Sequence, residues 1–356
     1  MSDPDHLPRG APAPEFSPAA LRPATEAARA PGATATGKRE PFSWQRLAAH
    51  SARQLGTLGG LIGLCVVLWI LTPHFLTVSN LLNVAQQTSI NAIIAVGLTF
   101  VILSGGIDLS VGSMVAFSGV VMASLLERAV PAPVAALAGL TAGSACGLVN
   151  GALISWGKLP PFIATLGMMS VARGGALLYT DGRPISGFSE SFRWLATGEI
   201  LWIPVPILLM GAVYLVAHFV LRRTPFGRYV FAIGGNEEAA VLSGVPVRPY
   251  KMMVYGASGL LSGLAAVVLT ARLNSAQPIA GINYELDAIA ATVIGGTSLM
   301  GGQGSVVGTL IGALIMGVLR NGLNLLGVSS FVQQLVIGAV IILAVLLDMT
   351  FKRPRR

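Results

Sequence analysis

Residues Leu221–Lys251 read LRRTPFGRYVFAIGGNEEAAVLSGVPVRPYK, a polar stretch set between two long apolar segments. Arg222, Arg223, Arg228, Arg248 and Lys251 all fall inside it. A short loop between membrane spans that carries this much Arg and Lys lies on the cytoplasmic side. The stretch therefore fixes the sidedness of everything on either side of it. Within it, Asn236–Ser243 (NEEAAVLS) starts with a capping residue, continues with Glu237 and Glu238, then turns to Ala, Val and Leu. Gly244 stands where a helix stops. These signals predict a short helix outside the membrane, which a plain connector does not need.

The rest of the chain has the composition this reading requires. Of 356 residues, 53% are hydrophobic and 11% charged, and the mean hydropathy is +0.72. That excludes a soluble globular protein and matches a polytopic membrane protein. The net charge of +8 does not point to nucleic acid, because the basic residues flank apolar spans or sit in the tail, where they set topology. Cys65 and Cys146 lie far apart inside apolar runs and read as small packing residues, not a disulfide. The glycines recur at helical spacing within apolar runs, as close helix packing demands.

Upstream of the opening stretch, apolar runs fall at about 57–72, 80–104, 110–126, 134–156, 162–179 and 203–221. Downstream they fall at about 252–270, 286–300, 303–322 and 331–348. The predicted fold is all-α: a polytopic membrane protein of about ten transmembrane helices, with broken helices and an internal repeat. Both ends lie in the cytoplasm, since Arg46 and Arg53 precede the first run and KRPRR closes the chain. The expected organisation is a disordered tail over 1–50, rich in Pro and Ala, a transmembrane domain over 54–349 with the cytoplasmic loop 222–251, and a basic tail over 350–356. The run at 286–300 is short and contains Asp287; it either spans or re-enters. Gly32–Arg39 (GATATGKR) approaches a phosphate-binding loop, but Arg39 stands where Ser or Thr would hold magnesium and no strand precedes it. No nucleotide site, catalytic set or metal site is expected in this chain.

Ser104–Ser113 (SGGIDLSVGS) is the densest motif. Gly105 and Gly106 interrupt a helix, and Asp108 sits beside the start of the next one, which Ser110 opens. A break at membrane depth is tolerated where the freed backbone is buried in protein or lines a cavity. Asp108 reads first as a helix cap, with a transport-linked acid as the alternative. Upstream, Asn83, Gln86, Gln87, Thr88 and Asn91 place amides at membrane depth, either bonding helix to helix or facing a polar path. Arg173 inside a span must be paired or reach outward. Gly139, Gly143, Gly147 and Gly151 form one strip down a helix, ready for a close neighbour. Gly147–Gly151 (GLVNG), with Phe162 and Leu166, reappears as Val318–Gly322 (VLRNG), with Phe331 and Leu335. SGGIDLSVGS has a looser counterpart in Ile294–Gly304 (IGGTSLMGGQG). Repeats with matching breaks are a transporter feature, with the substrate path at the repeat interface. Glycine-rich helices also resemble one another by chance.

Taken in order, SGGIDLSVGS, TPFGRYVFAIGGNEEAAVLSGV and AIAATVIGGTSLMGGQGSVVGTLIGALIMGVLRNGL resemble the ribose/xylose-type permease family, over about Arg53 to Asp348. These are membrane subunits of bacterial ATP-binding-cassette sugar importers; branched-chain amino-acid permeases are distant relatives. The resemblance implies an inner-membrane location and a second permease subunit, either an identical copy or a close paralogue. It also implies a cytoplasmic ATPase that holds ATP and magnesium, and a periplasmic sugar-binding protein. Lipid surrounds the chain, and no nucleic acid partner is implied. By position, Asn236, Glu237, Glu238, Ala239, Ala240 and Gly244 belong to the helix that docks on the ATPase, with Gly227, Arg228 and Gly234 shaping its entry. Asn91, Ser104, Gly105, Gly106, Asp108, Ser110, Asn150, Gly295, Gly296 and Asn321 are the expected translocation-path residues. Because the binding protein selects the sugar, the path itself is expected to be weakly polar.

Overall fold

The apolar runs fold as helices in the computed structural model, which describes residues 44–351, with side chains described over 55–346. The motif at Gly32–Arg39, the tail before Trp44 and the last basic residues lie outside the described residues. In chain order the helices are α1 (Trp44–Leu71), α2 (Val78–Leu103), α3 (Val111–Glu127), α4 (Ala132–Ser155), α5 (Pro161–Thr180), α6 (Glu190–Thr197) and α7 (Val205–Arg223). They continue with α8 (Pro225–Gly235), α9 (Glu237–Leu242), α10 (Val247–Leu273), α11 (Tyr284–Ile294), α12 (Val306–Leu325) and α13 (Ser330–Phe351). Six of these, α2, α4, α5, α7, α10 and α12, are long and apolar enough to cross a membrane. Shorter apolar helices cover Leu55–Leu71, Val111–Glu127 and Ser330–Leu346. The protein is an all-α, multi-pass membrane protein.

Helix α2 is the hub. Its residues from Ile90 to Leu103 are buried except Asn91, and α10, α11, α12 and α7 pack around it. The glycine strip of α4 meets α10 as its spacing requires. A Cβ on Gly143 would strike the Gly259 carbonyl, one on Gly147 the Tyr255 carbonyl, and one on Gly151 would lie 2.6 Å from the Met252 Cα. Backbones this close gain dispersion contacts, which replace the hydrophobic effect as the force between helices in lipid. Leu178, Leu215 and Val171 stay exposed on α5 and α7, an apolar surface suited to acyl chains.

Four features differ from the sequence reading. The stretch 221–251 holds two helices, not one: α8 precedes α9, with Thr224 as N-cap and Pro225 at its first position. The segment 180–200, between two apolar runs, carries α6, and two short strand pairs fix this region: β1 (Ile185–Ser186) with β4 (Ser275–Ala276), and β2 (Glu199–Ile200) with β3 (Ile203–Pro204). Helix α11 has 11 residues, about 16 Å at 1.5 Å per residue, half of what a bilayer core needs. The segment before it turns inward: a Cβ on Gly281 would meet Gly112 at the first turn of α3, and Arg173 donates to the carbonyls of Pro278 (2.8 Å) and Ala280 (2.6 Å). So 286–300 is a half-helix, and the costly intramembrane arginine satisfies the backbone that leads into it. Finally, Asn150 lies on the second helix after the first break, whereas Asn321 lies on the first helix after the second break. GLVNG and VLRNG therefore stand on helices that are not equivalent relative to the two breaks.

Candidate functional site

Three local structures carry the polar and glycine residues of the bundle. The first centres on Asp108, which is fully buried. Its Oδ1 accepts from the Ser110 backbone N–H (3.0 Å) and the Ser110 hydroxyl (2.6 Å). Its Oδ2 accepts from the Ser258 hydroxyl of α10 (2.9 Å). Asn150 of α4 donates to Ser110 Oγ (2.9 Å). The carboxylate thus holds the backbone just ahead of α3 and, through Ser110 and Ser258, ties the start of α3 to α4 and α10. Ser104 donates to the Val101 carbonyl within the break. A Cβ on Gly106 would strike the Tyr255 hydroxyl, itself buried without a partner among the described residues.

The second structure joins both breaks to the end of α8. Gly105, Gly301 and Gly302 have positive φ (80°, 83° and 68°), a region that residues with a Cβ avoid. The Gly302 N–H donates to the Leu103 carbonyl (3.0 Å), linking the α11–α12 break to the end of α2. Gly234 of α8 sits against the same carbonyl, and its Cβ would lie 2.7 Å from the Gly302 nitrogen. Gly235 ends α8, Asn236 follows, and α9 begins at Glu237. Asn236 caps α9 by accepting from the Ala239 N–H (2.9 Å), and Gly244 stops it at φ 81°. Glu237 pairs with Lys251 at 2.6 Å. Ala240 is buried, while Val241 and Leu242 are exposed. Gly227 is packed on Leu221 at the start of α8, and Arg228 follows it. Gly295 meets Gly308 of α12, and Gly296 (φ 92°) completes the turn after α11.

The third structure is a cavity of about 300 Å³ between α2, α10, α11 and α12. Gln87, Thr88 and Asn91 line it with Arg272, Tyr284, Asp287 and Arg320. Arg320 pairs with Asp287 (2.6 Å), and Asn91 donates to the same oxygen (3.3 Å). Arg272 and Leu273 lie at the far end of α10 from α9. At 27 residues that helix is about 40 Å long, so the cavity and α9 lie towards opposite ends of it. Of the expected path residues, Asn91 alone lines this cavity. Asn321 instead exchanges hydrogen bonds with Asn80 of α2 (2.9 and 3.1 Å). Asp287 and Arg320 were not among the expected site residues. Their signal was present: two opposite charges, each inside an apolar run, where an ion demands a partner.

Residues 80–345 match the family model described as "Branched-chain amino acid transport system / permease component". The chain belongs to this permease family. The permease is 52% identical over 296 residues to the ribose import permease protein RbsC of Escherichia coli (strain K12), covering 82% of the chain and 92% of that protein. It is also 52% identical to RbsC of Bacillus subtilis (strain 168), covering 83% and 92%. Against the D-allose transport system permease protein AlsC of E. coli (strain K12) it is 42% identical, covering 77% and 85%. No solved structure matches it. These relatives are transport subunits and not enzymes.

Proposed function

We propose that the permease is the membrane-spanning subunit of an ATP-binding-cassette importer that carries a ribose-type monosaccharide by alternating access. The observation that carries the substrate class is the 52% identity to ribose permeases over nearly their whole length; it favours a sugar over the amino acids in the family model's description. Ten membrane-embedded helices are assigned: the six long ones, the three shorter apolar ones and the half-helix α11. Both termini and α9 are placed in the cytoplasm, as the Arg and Lys of 222–251 require. A second permease subunit, a cytoplasmic ATPase with ATP and magnesium, and a periplasmic sugar-binding protein complete the importer in the bacterial inner membrane.

Helix α9 is the part that receives ATPase motion. Its Leu242 is 88% exposed, an apolar side chain with no role in water but one ready for a partner's cleft. Beside α9 lies a groove of about 510 Å³ carrying Lys158, Arg248 and Lys251. Motion of α9 passes back through Asn236 and Gly235 to Gly234. From there the Leu103 carbonyl and Gly302 take it to both helix breaks. Gly105, Gly106, Gly295 and Gly296 are where the path reshapes, with Ser104, Asp108, Ser110 and Asn150 keeping the first break in register. Uptake of radiolabelled ribose into proteoliposomes holding the permease with its ATPase and binding protein should require ATP. ATP-driven leucine uptake without ribose uptake, or ribose uptake driven by an ion gradient without the ATPase, would overturn the reading.

A further inference from the structure

The ion pair of Asp287 and Arg320 has no part in the coupling route just described. Asp287 is 4% exposed and Arg320 34%, so the acid is held in the wall while the guanidinium reaches open space. Burying the Asp287 charge carries a desolvation cost that a single ion pair need not return. The surrounding polar groups are also incompletely used. Asp287 Oδ2 takes both the Arg320 and the Asn91 hydrogen bonds. Asn91 Oδ1 and Thr88 Oγ1 are buried with no partner among the described residues. Thr88 is 3% exposed, and its hydroxyl is unlike those of Thr99 and Thr292, which donate to the carbonyl four residues back at 2.7 Å. Buried groups left without a partner are unfavourable. The residues that carry them line the same cavity, whose roughly 300 Å³ is about ten times the volume of a water molecule and at the small end of ligand pockets.

We infer that this cavity is the permease's own sugar site, in which Asn91 and Asp287 accept from sugar hydroxyls while Thr88, Gln87 and Arg320 complete the hydrogen bonds. The inference rests on the ribose reading above and assigns it a location. A polyol suits the lining because each hydroxyl both donates and accepts, and the walls offer both kinds of partner. It is also uncharged, so the 2.6 Å ion pair can stay closed around it. A zwitterionic amino acid would have to draw Asp287 away from Arg320 to pair its ammonium group. The site is connected to the breaks: Asp287 opens α11, and α11 ends at Gly295, packed on Gly308 of the helix that carries Arg320. A shift of α11 along α12 therefore changes the spacing of Asp287 and Arg320, and with it the hold on the sugar.

The test uses the complete importer in proteoliposomes. Met316→Cys, on the cavity wall, is placed in a chain with Cys65→Ser and Cys146→Ser, and its labelling by a small maleimide is timed. Leu273→Cys, 48% exposed, gives a second reporter. D-ribose should slow both labelling rates several-fold, 2-deoxyribose less, and leucine not at all. Asp287→Asn should raise the half-saturating ribose concentration about tenfold, as loss of a charge-assisted hydrogen bond does, and narrow the preference for ribose over 2-deoxyribose. A purely structural role would leave that preference unchanged. Ribose-independent labelling in an importer that transports ribose normally would overturn the site while leaving the ribose reading intact. An importer that takes up no ribose would overturn both. Protection by leucine would replace the sugar with an amino acid.

Discussion

Replacing Gly234 with alanine should uncouple ATP hydrolysis from transport. The added Cβ would meet the Leu103 carbonyl, with the Leu103 carbonyl carbon at 2.8 Å and the Gly302 nitrogen at 2.7 Å. All three are backbone atoms, so no side chain can rotate away. Forcing a methyl group into such a contact costs about 1–3 kcal/mol. If it separates the Gly302 N–H from the Leu103 carbonyl, a buried donor loses its partner for about 1–3 kcal/mol more. A total of roughly 2–6 kcal/mol is large beside the few kcal/mol that separate conformations in a transporter cycle, since every ~1.4 kcal/mol is a factor of ten. The junction would open, and α9 would move without carrying the two breaks. Uptake in reconstituted importer should fall about tenfold or more, while ATPase activity persists. Gly235→Ala is the control: a Cβ there meets nothing within 4 Å, and it should transport like wild type. Wild-type uptake per ATP in Gly234→Ala, or equal loss in both variants, would refute the junction as the mechanical link.

The same geometry sets further expectations. Ala240→Pro removes the N–H that bonds the Asn236 carbonyl at 3.0 Å and should break α9 at a cost of about 3 kcal/mol; Glu238→Lys reverses charge on its exposed surface. Both should lower uptake while membrane insertion, read by protease protection, stays intact. Gly147→Ala drives a methyl group into Tyr255 and to 3.1 Å from the Gly259 nitrogen, and should cost about 1–3 kcal/mol in detergent unfolding, where Gly174→Ala, with nothing within 4 Å, should cost little. Asp108→Ala strips the acceptor from Ser110 and Ser258 together, and the resulting loss of about 1–3 kcal/mol per stranded group should lower the thermal midpoint well below that of Asp108→Asn, which keeps one oxygen.

Much of the architecture follows from the chain read on its own. Membrane helices announce themselves through length and hydropathy, because in lipid each helix must satisfy its own backbone. The basic loop announces α9 through local rules: an asparagine cap, two acids and a stopping glycine act within a few residues of each other. The strip of Gly139 to Gly151 identified a packing face on the same principle. Even α8 was legible, since Thr224 followed by Pro225 is a start signal; the density of charge around it hid the helix.

Partnership is what the tertiary structure decided. No local rule brings Gly234 to the Leu103 carbonyl and to Gly302, residues far apart in sequence whose contact depends on how α2, α8 and α12 pack. Nor does any local rule bring Ser258 of α10 to the Asp108 carboxylate. Asp287 and Arg320 stand 33 positions apart on antiparallel helices, and their meeting depends on α11 being half a helix. The opening stretch, read from sequence as a marker of sidedness and a short helix, thus meets both helix breaks through contacts that no local signal announces. Short-range physics wrote the elements into the sequence, while the meeting of glycines and charges across helices is a long-range property that only the packed bundle determines.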